Sequence, residues 1–415
     1  MDTPLHYFFS RRTNPRTFDV LTRGPLGPYL TAYAQRLDDD GYATQSGELQ
    51  LRMLGHFNQW LERQRMDAAA VTSLTVERYV RSRRRAGKLR RGDPAALVRV
   101  LAMLRRDHAE PHTVPLTAIQ CVVQEFQDHL RHERGLADAT LTNYTPIVAA
   151  FLVACCPAGV PDFPRVTARA IADFVRQQAE RITTKRVTLV VSALRSFLRY
   201  LLQRGLITTD LRACVPTIAT WSLSTVPRFL PADQIQRILD ACPRDTVVGT
   251  RNYAILLLLA RLGLRAGEIV ALTLDDIDWD AGLITVRGKG KRVAQMPVPV
   301  DVGAAITAYL CHARQACASR RVFLRAKAPL RGFANSIAIC SLVDRALETA
   351  HVDSAYRGTH LFRHSLATHM LAQGASLPEI GDVLRHRRPD TTAIYAKVDV
   401  GALRSIALSW PGGDQ

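Results

Sequence analysis

The sequence lacks the features that mark membrane, secreted and metal-stabilised proteins. Nowhere in its 415 residues does an apolar run approach the roughly 18 residues of a transmembrane helix, and residues 1–16 contain no apolar signal core. The eight cysteines include no Cys-x-x-Cys pair, and Cys155 and Cys156 are adjacent. We therefore expect no disulfide framework, no zinc site, no membrane partner and a cytoplasmic location.

Acidic residues and lysine are also scarce. The chain has 55 basic against 37 acidic side chains, a formal net charge of +18, and only six of the basic residues are lysine. Both halves of the chain carry a positive excess, so the charge is not confined to a tail. Because guanidinium groups bind phosphate oxygens through paired N–H bonds, we expect a polyanionic partner to contact both halves.

The chain is too long for one hydrophobic core, and its pattern predicts several domains. Residues 1–24 read as an irregular arm, which is either disordered, packed on a neighbouring domain or in contact with DNA. Two helical modules follow at 25–112 and 113–215. A linker rich in Thr, Ser and Pro spans 216–230, and a last domain spans 231–415.

The two helical modules have similar sequence patterns. Gly41-x-x-Thr44 recurs as Ala137-x-x-Thr140, and Tyr79-Val80 recurs as Phe174-Val175 at nearly the same offset. This spacing predicts two copies of a four- to five-helix module. Two unrelated helical bundles are the alternative, because helical patterns match easily.

The last domain is predicted to be mainly α-helical with one small antiparallel sheet. Leu283–Val286 and Val293–Met296 are expected to pair around a Gly-Lys-Gly tip that carries Lys289. The remaining apolar residues recur at helical spacing. The fold class expected for the whole chain is therefore mainly α with a small antiparallel β-sheet.

Polar residues suited to phosphodiester chemistry lie in this last domain. His360 and Arg363 are three residues apart, so both lie on one face of a predicted helix that ends near Gly374. The full set comprises two arginines, a lysine, two histidines and a tyrosine: Arg265, Lys289, His360, Arg363, His386 and Tyr395.

In this order the six residues closely resemble the catalytic domain of tyrosine recombinases, the phage-integrase and Xer-like strand-exchange enzymes. The resemblance covers residues 228–410 and includes the text Leu-Arg-Ala-Gly-Glu around Arg265 and Thr-Thr-x-Ile-Tyr at Tyr395. A single helical module also resembles the core-binding domain of that family. Two positions depart from the pattern. Phe362 stands where a leucine is usual, and Arg385, where a glycine is usual, is expected to alter the packing of its turn.

The resemblance implies a role for each residue. Arg265, Arg363 and His386 would donate to the non-bridging phosphate oxygens. Tyr395 would attack phosphorus, giving a 3′-phosphotyrosyl link and a free 5′-hydroxyl. His360 is the candidate base and Lys289 the candidate acid for the departing oxygen. Because the covalent link conserves bond energy, no ATP or redox cofactor is expected, and the resemblance also implies that no metal is required.

Other residues have open interpretations. Glu268 either orients Arg265 or forms an ordinary surface pair with it, and His364 is expected to be a packed or supporting residue. His360, His364 and His369 could suggest a metal-binding helix, but no glutamate or well-placed third ligand completes such a site. We predict no metal.

A basic stretch in the first module predicts contact with DNA phosphates, with a solvated helix face as the alternative. Residues 78–91 hold eight basic side chains and no acid. A smaller group lies in the second module. The candidate DNA-contacting residues are Arg81, Arg83, Arg84, Arg85, Lys88, Arg90, Arg91, Lys185 and Arg186.

The function implied is that of a site-specific recombinase, the integrase or transposase of a mobile element. Its partners would be double-stranded DNA with specific recombination sites and further copies of the chain, which would form a tetrameric synapse. The complex would act at the nucleoid. Whether sibling recombinases or accessory proteins also take part is left open. A tail at 398–410 is expected to dock on a neighbouring copy or to pack on its own domain. The alternatives are a type IB topoisomerase-like relaxing enzyme and a catalytically idle DNA-binding protein.

Overall fold

Amphipathic helices build most of the protein, as the spacing of apolar residues predicts, and the expected fold class is confirmed. The computed structural model describes residues 4–9, 21–107, 116–157, 159–163, 166–219, 226–288 and 292–398. The chain divides into two compact units, one formed by 1–110 with 225–415 and the other by 111–224. Within the described ranges, no helix is long and apolar enough to cross a bilayer.

The first helical module packs around aromatic side chains. Its helices are α1 (Pro4–Phe8), α2 (Gly27–Asp39), α3 (Thr44–Arg63), α4 (Ser73–Arg85) and α5 (Asp93–Asp107). The rings of Phe57 and Tyr79 lie 4.7 Å apart in the core. Residues 4–8 belong to the expected irregular arm, but they are helical and Phe8 is fully buried. Residues 10–20 of that arm lie outside the described residues.

The second module has four helices, of which the second is longer than the first, as α3 is longer than α2 in the first module. The four are α6 (Ala118–Asp128), which continues as a π-helical turn to Glu133, α7 (Asp138–Cys155), α8 (Ala168–Arg181) and α9 (Thr184–Gln203). Thr167 caps α8 through its hydroxyl, as Thr72 caps α4. The same offset that relates Tyr79 to Phe174 relates these two caps, which supports the two-copy hypothesis. Thr75 lies in the first turn of α4, and Thr140 lies inside α7, whose N-cap is Ala137.

The last domain surrounds one buried helix. Its helices are α10 (Ala232–Asp240), α11 (Val247–Leu262), α12 (Ala266–Ala271), α13 (Val300–Ala308), α14 (Ile337–Thr349), α15 (His360–Ala372), α16 (Leu377–Val383) and α17 (Pro389–Ala393). Leu256–Leu259 of α11 are buried on every side. A short 3-10 turn, Ile394–Val398, follows α17 and carries Tyr395.

The predicted hairpin is present and belongs to a three-stranded antiparallel sheet. The strands are β1 (Ile277–Asp278), β2 (Leu283–Arg287) and β3 (Val293–Pro297), in the order β1-β2-β3. Thr285 pairs with Gln295 in the middle of the β2–β3 ladder. The two-residue strand β1 was not predicted, because it is too short to show an alternating pattern. The tip at 289–291 lies outside the described residues.

A left-handed glycine ends α11 and sets the position of the next helix. Gly263 has φ of 55°, and a Cβ there would lie 2.8 Å from Leu384 Cδ2. Its carbonyl accepts a hydrogen bond from the Arg363 guanidinium. The chain then turns sharply, so that Arg265 lies at the N-terminus of α12. Gly263 therefore meets a backbone requirement and a space requirement at once.

We expect Gly263→Ala to lower the free energy of unfolding by roughly 1–3 kcal/mol, since it adds left-handed strain and a clash with Leu384. Gly267→Ala is the matched control within the same motif, because a Cβ at Gly267 in α12 meets nothing within 4 Å. Calorimetric melting temperatures of both variants test this. Equal melting temperatures would contradict the requirement for glycine at 263.

Candidate active site

Helix α15 has polar side chains on one side and core residues on the other. Leu361, Phe362 and Ala367 are buried, and the chain after the helix turns at Gly374 with φ of 90°. Phe362, which replaces the usual leucine, is fully buried and belongs to the domain core. Packing of the apolar side of α15 in the core thus fixes the position of Arg363 and its neighbours.

Arg363 joins three segments of the domain. Its side chain is buried, and its two terminal nitrogens donate to the backbone carbonyls of Gly263 and Leu384. These bonds use two of the five guanidinium N–H groups and set the plane of the fork. Burial lowers the pKa of Arg363 to about 10, and the charges of Arg265 and Arg385 add to this effect. Arg363 remains a cation at neutral pH.

Glu268 orients Arg265. The Glu268 side chain is only 3% exposed, and its Oε1 lies 2.7 Å from Arg265 Nη1. Its Oε2 accepts a hydrogen bond of 2.9 Å from the backbone N–H of Arg265, which caps α12. Because the carboxylate is buried, the pair is not an ordinary surface pair. Arg265 itself is one-third exposed and reaches solvent.

Arg385 is a third guanidinium in this pocket. It follows α16 with φ of 55°, and its Nη2 lies 3.0 Å from Glu268 Oε2. The backbone N–H groups of Arg385 and His386 bond to Asp382 and Gly381, the pattern of a left-handed helix end. A non-glycine residue there costs roughly 1 kcal/mol.

The hydroxyl of Tyr395 is buried and hydrogen-bonded to His364. Tyr395 is 1% exposed, and its Oη lies 2.9 Å from His364 Nδ1. Burial raises the pKa of Tyr395 to about 12, against the opposing effect of Arg363. Burial lowers the pKa of His364 to about 4, with the charges of His360 and Arg363 contributing. A neutral His364 can therefore accept a hydrogen bond from the Tyr395 hydroxyl through Nδ1.

The contact between His364 and Tyr395 was not predicted. Sequence reasoning gave His364 a packed or supporting role, and the structure makes it the hydrogen-bond partner of the candidate nucleophile. One available signal was that His364 lies one helical turn after His360, on the same face. Their ring centroids are 6.3 Å apart, and His360 is exposed at the start of α15.

His386 packs parallel to the Tyr395 ring. The ring centroids are 6.4 Å apart with an interplanar angle of 5°. His386 Nδ1 and Thr392 Oγ1 are 2.7 Å apart. Burial and the nearby Arg363 and Arg265 charges lower the pKa of His386 to about 4. With Nδ1 engaged by the buried Thr392 hydroxyl, Nε2 is the ring nitrogen left for a further partner.

The hairpin that carries Lys289 is anchored beside Glu268, although Lys289 itself lies outside the described residues. A Cβ at Gly288 would lie 3.6 Å from Glu268 Oε1. At the end of β2, Arg287 Nη2 donates to the buried carboxylate of Asp276 at 2.6 Å. The hairpin base is thus held next to the arginine pocket.

Most candidate DNA-contacting residues are exposed, and one is used within the fold. Arg83 is only 18% exposed, donates to the carbonyl of Lys88 and lies over the Tyr79 ring. It therefore holds the end of α4. Arg81 lies 3.6 Å from Glu77 in an exposed pair. The other exposed candidates are Arg84, Arg85, Lys88, Arg90 and Arg91 in the first module, and Lys185 and Arg186 at the start of α9.

Comparison with known families assigns two parts of the chain. Residues 228–401 match the phage integrase family, and residues 123–205 match the N-terminal SAM-like domain of phage integrases. The second match falls within the second helical module.

Similar proteins extend over nearly the whole chain. A putative integrase/recombinase of Sinorhizobium fredii, y4rA, is 46% identical over 403 residues, which cover 95% of this chain and 98% of that protein. Tyrosine recombinase XerC of Bacillus pumilus is 28% identical over 305 residues, covering 71% of this chain and 97% of XerC.

A solved structure shares the fold. It is the XerH site-specific recombinase bound to a palindromic difH substrate, with a TM-score of 0.55 and 15% identity. The alignment covers 80% of this chain and 93% of that chain.

The histidines of the site predict a pH dependence of stability. The pKa values of His364 and His386 lie near 4 in the folded protein, below the value of about 6.5 in an unfolded chain. Between these values the unfolded chain binds protons that the folded protein does not, so the free energy of unfolding falls as pH decreases from 6.5 to 4.

We expect His386→Asn, which keeps a hydrogen-bonding side chain at Thr392, to lose less stability between pH 7 and pH 4.5 than the unmodified protein, by roughly 1–2 kcal/mol. Melting temperatures at the two pH values measure this. His369→Asn, at an exposed position of α15, is the control. If the melting temperature fell equally between the two pH values in all three proteins, the lowered pKa of His386 would be contradicted.

Proposed function

The chain belongs to the phage integrase family, the tyrosine recombinases, and from this premise we propose that Tyr395 is the nucleophile with which it breaks and rejoins DNA at specific sites. The observation that carries the proposal is the convergence on Tyr395 of groups from α15 and from the turn after α16. His364 is hydrogen-bonded to its hydroxyl, His386 stacks beside its ring, and the Arg363 charge acts on it.

The arginines and His386 would stabilise the pentacovalent phosphorus. The Tyr395 oxygen forms a bond to phosphorus while the bond to the 5′-oxygen breaks, and negative charge increases on the non-bridging oxygens. Arg265 and Arg363 offer planar forks to those oxygens, and a neutral His386 donates through Nε2–H. Loss of one such donor typically costs about 10²–10³ in rate.

Proton transfer is the harder requirement at this site. With a pKa of about 12, the Tyr395 hydroxyl is disfavoured as an anion at pH 7 by roughly 7 kcal/mol. We propose that His364 holds the hydroxyl before attack and that the exposed His360 takes its proton when DNA is bound. Lys289 at the hairpin tip would protonate the departing 5′-oxygen. The reverse attack by a 5′-hydroxyl reseals the strand without ATP.

Access to the nucleophile would be coupled to DNA binding. Tyr395 is 1% exposed and packs with Ala367, Ile380 and Leu384 in a small core. A phosphate can reach the hydroxyl only after the Ile394–Val398 segment shifts. Such coupling would protect the chromosome from unproductive cleavage.

Recombination between two duplexes sets the number of copies required. Four strands must be cut and rejoined, and each chain supplies one Tyr395, so we propose a homotetramer on two DNA sites. The relative from Sinorhizobium fredii, a putative integrase/recombinase similar over nearly its full length, supports the function of an integrase or recombinase. We propose that the protein serves a mobile element, as its integrase or transposase, and acts at the nucleoid. A topoisomerase-like enzyme or an idle DNA-binding protein would not require a homotetramer on two DNA sites.

The exposed basic residues of both helical modules are proposed to follow the DNA backbone. Arg84, Arg85 and Arg91 extend from the end of α4 and the following turn, and Lys185 and Arg186 start α9. Contacts to phosphate position the protein without specifying sequence.

The nucleophile is tested with a nicked suicide substrate taken from the flanks of the element that carries the gene. We expect a covalent protein–DNA adduct with the unmodified protein and none with Tyr395→Phe, because phenylalanine lacks the attacking oxygen. Gel electrophoresis under denaturing conditions measures the adduct. Tight binding without an adduct from the unmodified protein would favour an idle catalyst, and an undiminished adduct with Tyr395→Phe would exclude Tyr395 as nucleophile.

The phosphate-contact proposal predicts a change in salt dependence. Arg84→Gln is expected to reduce the slope of log affinity against log salt by about 1, since one fewer counterion is released. Arg52→Gln removes a guanidinium that is already paired with Glu48 at 2.6 Å in the same module, and its slope should stay unchanged. Fluorescence anisotropy between 50 and 200 mM salt measures both slopes. Identical slopes would refute a phosphate contact at Arg84.

A further inference from the structure

Arg385 shares the carboxylate of Glu268 with Arg265. Glu268 Oε1 accepts from Arg265 Nη1, and Glu268 Oε2 accepts from the Arg265 backbone N–H and from Arg385 Nη2. One buried anion therefore has two guanidinium partners. Arg385 also donates to the sulfur of Met296 and to the carbonyl of Val383, so its position is constrained from several directions.

The two arginines approach Glu268 from different depths. The Arg265 side chain is 33% exposed, whereas the Arg385 side chain is 13% exposed and Glu268 is 3% exposed. An arriving phosphate would therefore meet Arg265 first. Arg385 is too deep to be the main phosphate contact, and its influence must pass through Glu268.

A carboxylate beside Arg265 is helpful for orientation and costly for electrostatics. It aligns the fork, but its negative charge cancels much of the attraction between Arg265 and a phosphate, and this cancellation is strong in a buried, weakly polar setting. A second guanidinium on the same carboxylate offsets that cancellation. The alignment is then retained while the pocket gains one positive charge.

The backbone at Arg385 argues that the side chain serves something other than the turn. With φ of 55° this position favours glycine. The bonds that close the turn, Arg385 N–H to Asp382 and His386 N–H to Gly381, come from the backbone and would form with glycine as well. An arginine kept in a strained conformation, with its charge directed to the active-site carboxylate, points to a role in that site.

We propose that Arg385 is a positioning residue for the strand-cleavage reaction: it balances the charge of Glu268, so that Arg265 is held in place and keeps its positive charge for the scissile phosphate. The inference rests on the proposed function of the site. It assigns a role to a position at which the family resemblance has a glycine.

The test compares Arg385→Met with Arg385→Lys in single-turnover cleavage of the nicked substrate at saturating protein. Both replacements are unbranched and have a Cβ in the same left-handed backbone, so they differ chiefly in charge. We expect cleavage to fall by about 10-fold or more with methionine and to stay within about 3-fold with lysine, because one electrostatic interaction is lost. The dissociation constant for the DNA should change by less than about 3-fold in either variant.

Arg385→Gly separates the reaction from folding. Glycine relieves the strained backbone, so this variant should melt at or above the temperature of the unmodified protein and still cleave as slowly as the methionine variant. A glycine variant with full cleavage activity would overturn the proposal, as would equal rates for the methionine and lysine variants.

A Glu268→Gln background tests whether Arg385 acts on cleavage through Glu268. If Arg385 acts by balancing the Glu268 charge, Arg385→Met should slow cleavage by less than about 2-fold once that charge is gone. A loss of about 10-fold that persists in this background would overturn the proposal. The proposed function is judged separately, by the adduct that the unmodified protein forms through Tyr395.

Discussion

The active site depends on one buried cation, Arg363, and on the backbone carbonyls that receive it. Removing a guanidinium from water is costly unless its N–H groups find acceptors, and here the ends of α11 and α16 supply them at Gly263 and Leu384. The same bonds bring the turn that starts at Gly263, and with it Arg265, close to the turn that holds Arg385 and His386. Arg363 is therefore both a candidate phosphate ligand and the structural link between the segments around it.

Charge in the pocket is distributed so that Arg363 stays positive and His364 and His386 stay neutral. Glu268 binds two guanidiniums, and burial together with the neighbouring cations lowers the pKa values of His364 and His386. A neutral His364 can accept a hydrogen bond from the Tyr395 hydroxyl, which a doubly protonated ring could not do. A neutral His386 still has one N–H with which to donate to a phosphate oxygen. Burial of Tyr395 completes this arrangement, because it keeps the hydroxyl protonated and away from solvent.

The helical half of the chain presents basic surface around a separate set of cores. Each module packs aromatic residues in its interior, Tyr79 in the first and Phe174 in the second. Each leaves arginine or lysine on the surface near the start or end of a helix. Arg83 shows that a basic run is not uniform, since one member supports α4 while its neighbours remain exposed. Two such modules would extend the length of duplex contacted by one chain.

Local sequence was sufficient for the helices, the hairpin and the order of the six chemical residues, because helical periodicity, turn residues and motif spacing are properties of neighbouring positions. It missed the two-residue strand β1 and the helix at Pro4–Phe8, where the local signal is short or ambiguous. Only the tertiary structure decided that His364 contacts Tyr395 and that Arg385 reaches Glu268. Glu268 and Arg385 lie 117 positions apart in the chain, and no local pattern encodes a contact that arises when distant helix ends pack around a shared buried charge.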